Sequence, residues 1–265
     1  MSVVPTFNPD TDALELIHTL AQSAPVLVSD DASACTADRI LAAAEGMAGV
    51  RVVRNSHNRG IGRALNQGLA FARQVGAAWL LTVDQDSSLD EQYAPAMVEY
   101  AKSLAQAGVH LGALGCGNVQ DASGKLTYPE RMQSLSGRSV VTTDEVVQSG
   151  TLWPVEPLSA VGGFDQTLGM DAVDGAACLA LRERGMIIAL NPDVTLRHQI
   201  EGAQQIRIFG RQVTVTGHSA ARRRAIITNR LGLFPREWAV SPRHALRTVR
   251  RSFVNVLAVP LRRKP

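Results

Sequence analysis

Short apolar runs alternate with segments of helical periodicity through the first ninety residues of the chain. Four runs rich in β-branched and apolar residues are predicted strands: "SVVPT", "PVLVSDD", "VRVVRN" and "AWLLTVDQD". Helices are predicted near residues 10–22, 36–48 and 61–75. In the third, Ile61, Leu65, Leu69, Ala72 and Val75 recur at steps of three or four and define one buried face. Strands that alternate with helices indicate an α/β domain built on a mostly parallel sheet.

The pattern changes after residue 92. A helix is predicted through "APAMVEYAKSLAQAG", followed by the apolar run "LGALGCGNV". Residues 120–138 are polar, contain Gly and Ser, and are predicted to form a loop. A second module then reads as a strand and a helix within "SGTLWPVEPLSAVGG", a loop, a helix from about 172 to 185, and two short strands that reach His198.

Charge is divided unevenly along the 265 residues. The formal net charge is +3, but residues 222–265 hold twelve Lys/Arg and one acidic residue, a net of +11, against −8 for residues 1–221. A basic tail on an acidic body favours contact with an anionic membrane surface. A solvated basic helix and a nucleic-acid-binding tail are the alternatives, and we expect no nucleic-acid partner.

Cysteine usage and hydropathy indicate a cytoplasmic protein. Cys35, Cys116 and Cys178 are odd in number, far apart and outside any CxxC pair, so neither a disulfide framework nor a zinc site is predicted. The start "MSVVPTFNPD" lacks the features of a signal peptide, and no apolar stretch reaches the roughly 18 residues of a membrane span. Any membrane contact is therefore expected to be peripheral, at the inner face of the plasma membrane.

Four carboxylates follow predicted strands. Asp84 and Asp86 end an apolar run, and Asp30 and Asp31 end another, so all four belong at the carboxyl rim of a parallel sheet, where such sheets bind ligands. Two carboxylates at i and i+2 can reach one ligand where a strand gives way to a loop, and their hard oxygens suit Mg²⁺ or Mn²⁺ with a diphosphate. The alternatives are an ordinary acidic loop, or Asp86 as the N-cap of a helix that begins at Ser87.

A dinucleotide-binding turn is a rival interpretation of the same rim. Gly60 and Gly62 in "GIGRAL" follow a predicted strand, and Asp84 lies roughly 20 residues further on, as a ribose ligand would. Leu65, however, stands where the third small residue is required, and rim carboxylates without a metal would repel a pyrophosphate.

Seven blocks occur in an order that resembles a known family. They are "VVPTFNP", "VLVSDDAS", "NRGIGRALNQGLAFA", "WLLTVDQDSSL", "SGTLWPVEPLSAVGGFD", "DAVDGAACLALRERG" and "LRHQIEG". The chain resembles the family 2 glycosyltransferases of GT-A fold, and most of all their bacterial rhamnosyltransferase branch, from residue 2 to about 235. The resemblance implies a Rossmann-like, mostly parallel sheet flanked by helices. It divides the chain into a domain at 1–220, with a nucleotide-binding half at 1–118 and an acceptor-side half at 119–220, and a basic helical C-terminal segment at 221–265.

The resemblance also assigns residues to the nucleotide-sugar donor. Thr6 and Asn8 match the nucleotide-facing turn, Asp31 the carboxylate that contacts the base, and Asp84 the acid on the ribose side. The whole donor set is Thr6, Asn8, Asp30, Asp31, Asn58, Gly60, Asn66, Asp84 and Gln85.

Three further residues carry the implied chemistry. Asp86 matches the metal ligand of the D-x-D motif, and His198 matches a histidine that approaches the metal or diphosphate. Asp174 matches the base that takes the proton of the acceptor hydroxyl, while the cation offsets charge on the departing diphosphate. Taken without the family, Asp174 could equally be a helix-capping acid and His198 an ordinary polar residue.

The second acidic motif departs from the family. The family has a further acid soon after the base and an Arg a few residues later, where this chain has Ala176, Ala177 and Ala180, with Arg182 only nearby. In addition, "ITNR" at 227–230 stands where the branch tends to have "RN". We therefore predict an inverting, metal-dependent glycosyltransferase, and keep a weak or non-catalytic sugar-nucleotide-binding homologue as an alternative.

The expected donor and acceptor follow from the predicted glycosyltransferase activity. The donor is a dTDP- or UDP-sugar, most plausibly dTDP-rhamnose, and the acceptor is a bacterial cell-wall or surface glycan, free or lipid-linked. A nucleotidyltransferase is the rival enzyme, although "VVPTFNP" lacks its Gly-rich, Arg-containing first loop. The sequence leaves the linkage and the oligomeric state open.

Overall fold

The computed structural model describes residues 1–121, 124–126, 128–169, 171–198, 204–208, 211–215 and 220–257. In chain order the elements are β1 (Ser2–Thr6), α1 (Thr11–Ala21), β2 (Val26–Asp30), α2 (Asp38–Glu45), β3 (Val50–Arg54), α3 (Ile61–Gln74), β4 (Trp79–Thr82), β5 (Ser87–Ser88), α4 (Tyr93–Gln106), β6 (Leu111–Asp121), β7 (Gly124–Leu126), β8 (Arg131–Leu135), β9 (Arg138–Thr143), β10 (Thr151–Pro154), α5 (Val155–Ala160), α6 (Val173–Glu183), β11 (Ile187–His198), β12 (Gln204–Ile208), β13 (Arg211–Val215), α7 (Ala220–Val240) and α8 (Pro242–Leu257). Short 3-10 turns precede α2 and α6.

One large sheet organises the chain. Its strand order is β3-β2-β1-β4-β10-β6-β11-β9-β8, with β5 paired to β11 and β7 paired to β6, while β12 and β13 form a separate hairpin. The first four strands are parallel, as predicted. From β10 onward the pairing is antiparallel, except between β6 and β11. The carboxyl ends of β1, β2 and β4 therefore share one rim.

The predicted face of α3 packs on this sheet. Leu65, Leu69 and Ala72 are buried, whereas Val75 lies just beyond the helix and is 46% exposed. Close approach to β1 depends on Gly68, because a Cβ there would lie 2.5 Å from the Cβ of Val3. The sequence pattern thus located the face of the helix, and a glycine sets its distance from the sheet.

Two predictions of local structure were wrong, and one alternative is excluded. Residues 120–138 contain the end of β6, β7, β8 and the first residue of β9 instead of one loop, because cross-strand pairing orders polar residues that have no apolar alternation of their own. The two strands expected before His198 are one strand, β11, whose register shifts between Asn191 and Thr195 around Pro192, which lacks a backbone donor. Ser87 begins strand β5 and not a helix, so Asp86 caps no helix there.

Trp153 on β10 connects the buried centre of the sheet to the loop at 161–169. Its indole N–H donates to Thr82 Oγ1 at 2.9 Å, and its ring meets Phe164 edge-on at 5.2 Å between centroids. Phe164 follows α5, so this contact fixes the loop at 161–169 against the end of β4.

The C-terminal helices form a pair, α7 and α8, that packs on α6 and on the end of β9. No helix in the described parts of the chain is long and apolar enough to cross a membrane. The predicted division at residue 118 falls inside β6 and stays a prediction, as does the boundary at 220.

Candidate active site

A hydrogen-bonded turn closes the rim after β1. Thr6 Oγ1 donates to Asp30 Oδ1 at 3.2 Å, and Asp30 also accepts the backbone N–H of Ser33 at 3.1 Å. Asn8 takes a left-handed backbone with φ of 51°, donates its N–H to Ser33 Oγ at 2.7 Å and accepts the N–H of Ala34 at 2.9 Å. Asp30 is completely buried, so it shapes this turn from beneath.

The neighbouring Asp31 clamps the loop that precedes α3. Its two carboxylate oxygens accept the backbone N–H of Arg59 at 2.9 and 3.0 Å and that of Gly60 at 2.8 Å. Asn58 Oδ1 accepts the same Gly60 N–H at 3.2 Å. The carboxylate therefore fixes the wall of the predicted nucleotide pocket, and its contact with the base stays a prediction.

The glycines at the start of α3 serve close packing. A Cβ on Gly60, whose φ is +83°, would lie 3.0 Å from the carbonyl oxygen of Gly169, and one on Gly62 would lie 2.9 Å from that of Asp165. Asn66 pairs with the backbone of Phe164 in both directions, donating at 2.8 Å and accepting at 2.9 Å. The "GIG" turn thus seats the 161–169 loop, which argues against a dinucleotide-binding turn.

The D-x-D loop rests on the segment at 148–150. Gln148 Nε2 donates to Asp84 Oδ1, the N–H of Asp84 donates to Ser149 Oγ at 3.0 Å, and Ser149 Oγ lies 2.7 Å from Ser87 Oγ. Below it, Tyr93 donates to the carbonyl of Gly150 at 2.6 Å. Both flanks of the loop are therefore anchored.

Gln85 joins the D-x-D loop to the turn after β1. Its carboxamide oxygen accepts the N–H of Phe7 at 2.8 Å, and its Nε2 donates to the carbonyl of Phe7 at 3.1 Å. The ring of Phe7 is 51% exposed at this rim. Gln85 therefore positions the turn, and Phe7 is a rim residue that the sequence prediction did not name.

Asp86 directly precedes β5, and His198 ends β11, the strand that pairs with β5. Asp86 is exposed and directly precedes Ser87, which pairs with His198 in the short antiparallel contact between β5 and β11. Directly paired residues on antiparallel strands have Cα atoms about 4.5–5.5 Å apart. The backbone thus brings together two residues 112 positions apart in the sequence that were predicted to share a cation.

Asp174 lies in the first turn of α6, beside an ion pair from elsewhere in the chain. Its Oδ1 accepts the N–H of Gly175 at 2.8 Å. Arg230 of α7 meets Glu145 at 2.7 Å between Nη1 and Oε2, and a Cβ on Gly175 would lie 2.9 Å from both atoms. Burial raises the pKa of Asp174, and the Glu145 carboxylate adds to that rise while the Arg230 guanidinium opposes it.

Asp144, next to Glu145, holds a second group of cations. It is 1% exposed and accepts two hydrogen bonds from Arg131, at 2.8 and 2.9 Å. Arg182 Nη2 lies 2.8 Å and His244 Nδ1 3.6 Å from it. Burial alone would raise the pKa of Asp144, but the hydrogen bonds from Arg131 and the charges of Arg182 and His244 outweigh it, so that pKa lies below its ordinary value.

Asp171, the alternative base, has partners of its own. Its carboxylate lies 3.4 Å from Nε of Arg222, and its backbone carbonyl accepts from Asn229 at 3.0 Å. Asp171 therefore helps to dock α7. Arg182 forms an ion pair with Asp144.

The segment at 144–150 links the two groups of predicted site residues. Asp144 and Glu145 face α6, α7 and α8, whereas Gln148 and Ser149 hold Asp84. Sequence reasoning included only the "SG" of this segment, as part of a block. Asp144 and Glu145 show no periodicity and match no motif, so the sequence did not indicate a role for them. Arg230 was considered only as part of the basic C-terminal segment.

A separate acidic group comprises Glu145, Glu237 and His244, whose ligand atoms lie within 4.8 Å of one another. The guanidinium of Arg230 lies 2.7 Å from Glu145 and 3.7 Å from Glu237. The positive charge of Arg230 therefore already offsets the negative charge of this group. A cavity of about 480 Å³ near Met1, Trp79 and Val98 lies beside the amino ends of the strands, away from the carboxylate rim.

Comparison with known proteins gives the family. The model of glycosyl transferase family 2 matches residues 2–154, more than half of the chain and the part that holds the D-x-D loop. The chain belongs to glycosyl transferase family 2. Its predicted resemblance to this family is confirmed, and the family is one of glycosyltransferases.

Relatives and solved structures agree with that assignment. The dTDP-rhamnosyl transferase RfbF of Shigella flexneri is 27% identical over 235 residues, covering 84% of this chain and 75% of that protein. Staphylococcus aureus TarS 1–349 in complex with UDP-GlcNAc superposes with a TM-score of 0.64 at 15% identity, over 99% of this chain and 75% of that one. The chain spans 36% of a longer TarS structure.

A third comparison extends the same fold. The mannosyltransferase PcManGT from Pyrobaculum calidifontis, in complex with GDP-Man and Mn²⁺, superposes with a TM-score of 0.62 at 16% identity, over all of this chain and 75% of that one. At such low identity the likeness establishes the fold, and it confirms the predicted GT-A architecture of sheet and flanking helices.

Proposed function

We propose that this glycosyltransferase moves a sugar from a nucleoside diphosphate donor to a hydroxyl of a glycan acceptor, with inversion at the anomeric carbon. The observation that carries the proposal is the D-x-D loop. Asp84 is held by Gln148 and Ser149, and Asp86 is exposed beside the strand that ends at His198. A loop anchored on both flanks presents an exposed carboxylate at the rim where open α/β sheets bind ligands.

The residues at this rim fit a divalent cation of the Mg²⁺ or Mn²⁺ kind. Carboxylate oxygens are the ligands such ions prefer, and an imidazole adds a preference for Mn²⁺ over Ca²⁺. Asp86 and His198 would hold the ion, which would offset negative charge on the diphosphate leaving group. PcManGT was solved with Mn²⁺, and so was GalNAc-T7, a further structural neighbour at a TM-score of 0.58.

The donor site would lie between the turn after β1 and the start of α3. Thr6 and Asn8 shape the turn, Asp31 fixes the wall at Arg59 and Gly60, and the exposed ring of Phe7 offers an apolar face to a base. We take dTDP-rhamnose as the first donor to test, because the relative RfbF is a dTDP-rhamnosyl transferase.

Asp174 is the proposed base for the acceptor hydroxyl. It lies in the first turn of α6, and its segment resembles the base motif of the family. The competing Asp171 is paired with Arg222. The acceptor half, residues 119–220, contributes Asp174, and we propose a bacterial cell-wall or surface glycan as acceptor.

The basic segment after residue 220 would bring the enzyme to an anionic membrane surface, where lipid-linked acceptors reside. On α7 and α8, Arg224, Arg243 and Arg250 are exposed. Large apolar side chains are exposed on the same two helices, namely Leu231, Trp238 and Leu246. Basic residues together with Trp and Leu are typical of helices that lie at a membrane interface. The protein would act at the cytoplasmic face.

Of the two alternatives, family membership argues against a nucleotidyltransferase. The non-catalytic homologue is favoured by one observation, the replacement of charged positions after Asp174 by Ala176 and Ala177, both buried.

The test is donor hydrolysis and transfer across a panel of dTDP-, UDP- and GDP-sugars, with Mn²⁺, Mg²⁺ or EDTA. We expect turnover of one donor class that EDTA abolishes and that Asp86→Asn nearly abolishes, while the circular dichroism spectrum is unchanged. Asp90→Asn, an exposed acid four residues further on, is the matched control and should behave as the parent. Binding of nucleotide sugars without any turnover would favour the non-catalytic homologue, and full activity of Asp86→Asn would remove that residue from the site.

A further inference from the structure

The ion pair between Arg230 and Glu145 lies next to Gly175, the residue that follows the proposed base. We propose that Arg230, anchored by Glu145, is a positioning residue that keeps the Asp174 carboxylate ionised and aimed at the acceptor side. The proposal rests on the proposed function of Asp174 as the base. It assigns a role to two residues that the sequence analysis did not place in the site.

The ion pair of Arg230 and Glu145 packs against the backbone next to Asp174. Arg230 Nη1 and Glu145 Oε2 are 2.7 Å apart, and both would be 2.9 Å from a Cβ on residue 175. Gly175 is therefore the surface on which the ion pair packs, and its N–H is the donor to Asp174 Oδ1 at 2.8 Å. A larger residue at 175 would displace the pair, so the glycine leaves the room that places a guanidinium beside the base.

Helix α6 has no cation of its own close to Asp174. The two residues after Gly175 are Ala176 and Ala177, and Ala180 lies about one and two-thirds turns from Asp174. The nearest cation of the helix, Arg182, is bound to Asp144 at 2.8 Å. A cation that acts on Asp174 must therefore come from another element, and α7 supplies it.

The guanidinium of Arg230 is held by two carboxylates, those of Glu145 and Glu237. Arg230 is 18% exposed and Glu145 19% exposed, so water screens their fields only in part. Glu237 Oε1 lies 3.7 Å from Arg230 Nη1, and Thr248 of α8 holds the other oxygen of Glu237 at 2.9 Å. The guanidinium is thus fixed by two carboxylates, and Glu145 is the foremost reason that the pKa of Arg230 lies above its ordinary value.

The charges around Asp174 act in opposite directions. Burial raises its pKa, Glu145 raises it further, and both Arg230 and the Gly175 N–H lower it. The other titratable groups that face this cluster are Tyr128, Cys178, Glu237, His244 and Arg251. Burial and the neighbouring carboxylate favour the protonated form of Asp174, and a base must be deprotonated to act, so the guanidinium of Arg230 favours the active form.

The decisive experiment is a direct titration of Asp174 by ¹³C NMR of aspartate-labelled protein, with the carboxyl resonance assigned by its absence from Asp174→Asn. We expect Arg230→Met to move the midpoint to higher pH and Glu145→Gln to move it to lower pH. A role limited to packing would not produce shifts of opposite sign. Arg236→Met is the matched control, because Arg236 lies on the same helix but pairs with Glu183, and it should leave the midpoint unchanged.

The same variants are then assayed for hydrolysis of dTDP-rhamnose with Mn²⁺. Arg230→Met should lower kcat near neutral pH by less than the roughly 10²-fold expected for loss of a general base, leave KM for the donor unchanged, and recover as the pH rises. Arg230→Lys, which keeps the charge, should restore most of the rate.

The outcomes separate the two proposals. A midpoint that Arg230→Met leaves unmoved, or that Glu145→Gln shifts upward, overturns the role of Arg230 whatever the activity data show. Parent-like turnover of Asp174→Asn overturns the assignment of the base, while the titration still judges Arg230. If Arg230→Met does not fold, Glu145→Gln and Arg230→Lys decide: the first must shift the midpoint downward, and the second must leave it at or slightly above the parent value.

Discussion

The buried carboxylate of Asp144 is expected to be a major source of stability, and Asp144→Asn tests this. The substitution keeps the shape of the side chain and removes its charge. Arg182, 11% exposed, would lose its carboxylate partner, whereas His244, 4% exposed, would keep Glu145 at 3.8 Å and Glu237 at 4.0 Å. Arg131 is 43% exposed and can return to water. Three elements, β8, α6 and α8, meet at this one carboxylate.

The magnitude follows from these exposures. Removal of one partner from a buried pair costs about 3–5 kcal/mol, because the other charge stays buried and unpaired. The exposed Arg131 adds only the value of a surface bridge, about 0–1 kcal/mol. An amide oxygen still accepts one hydrogen bond, so we expect a loss of about 3 kcal/mol in the free energy of unfolding at pH 7.

Urea unfolding, followed by circular dichroism and by tryptophan fluorescence, measures the loss. Glu183→Gln is the matched control, since it removes the surface pair with Arg236, whose partners are 34% and 48% exposed, and should cost less than about 1 kcal/mol. The pKa of Asp144 is lowered in the folded protein, so its contribution is present above its ordinary value of 3.8 and is lost as the pH falls through the lower folded value. A loss below about 1 kcal/mol at pH 7, or one that does not shrink toward acidic pH, would refute this reasoning.

Three further results are expected. Asp174→Asn should retain donor binding, measured by calorimetry, and lower transfer by at least about 10²-fold, whereas Asp171→Asn should cost much less; the reverse order would mean that the base is wrongly assigned. Gly68→Ala should destabilise the fold by about 1–3 kcal/mol because its Cβ would meet Val3 at 2.5 Å, while Gly46→Ala, with 3.5 Å of clearance, should be nearly neutral in thermal unfolding. Co-sedimentation with liposomes should depend on anionic lipid, and Arg243→Gln with Arg250→Gln should weaken it by about 2 kcal/mol in total; binding that ignores lipid charge would contradict the membrane proposal.

The sequence by itself determined the elements whose residues carry a local pattern. The parallel strands were predicted because burial on both faces makes short, continuous apolar runs, and α3 because burial of one face imposes a repeat of about 3.6 residues. The rim position of Asp84 and Asp86 followed from the abrupt end of an apolar run. The family resemblance added residues such as His198, and the structure then paired the backbone of that residue with Ser87.

Tertiary structure alone decided which distant residues share an environment. Glu145 and Arg230 are 85 positions apart and meet at 2.7 Å, and no local pattern in the sequence links them. Arg131 on a polar strand that was predicted as loop, Arg182 on α6 and His244 on α8 converge on Asp144. A local pattern records only whether a side chain is buried. The partner of a buried charge depends on how strands are ordered in the sheet and where the final helices pack, and these are long-range properties of the whole chain.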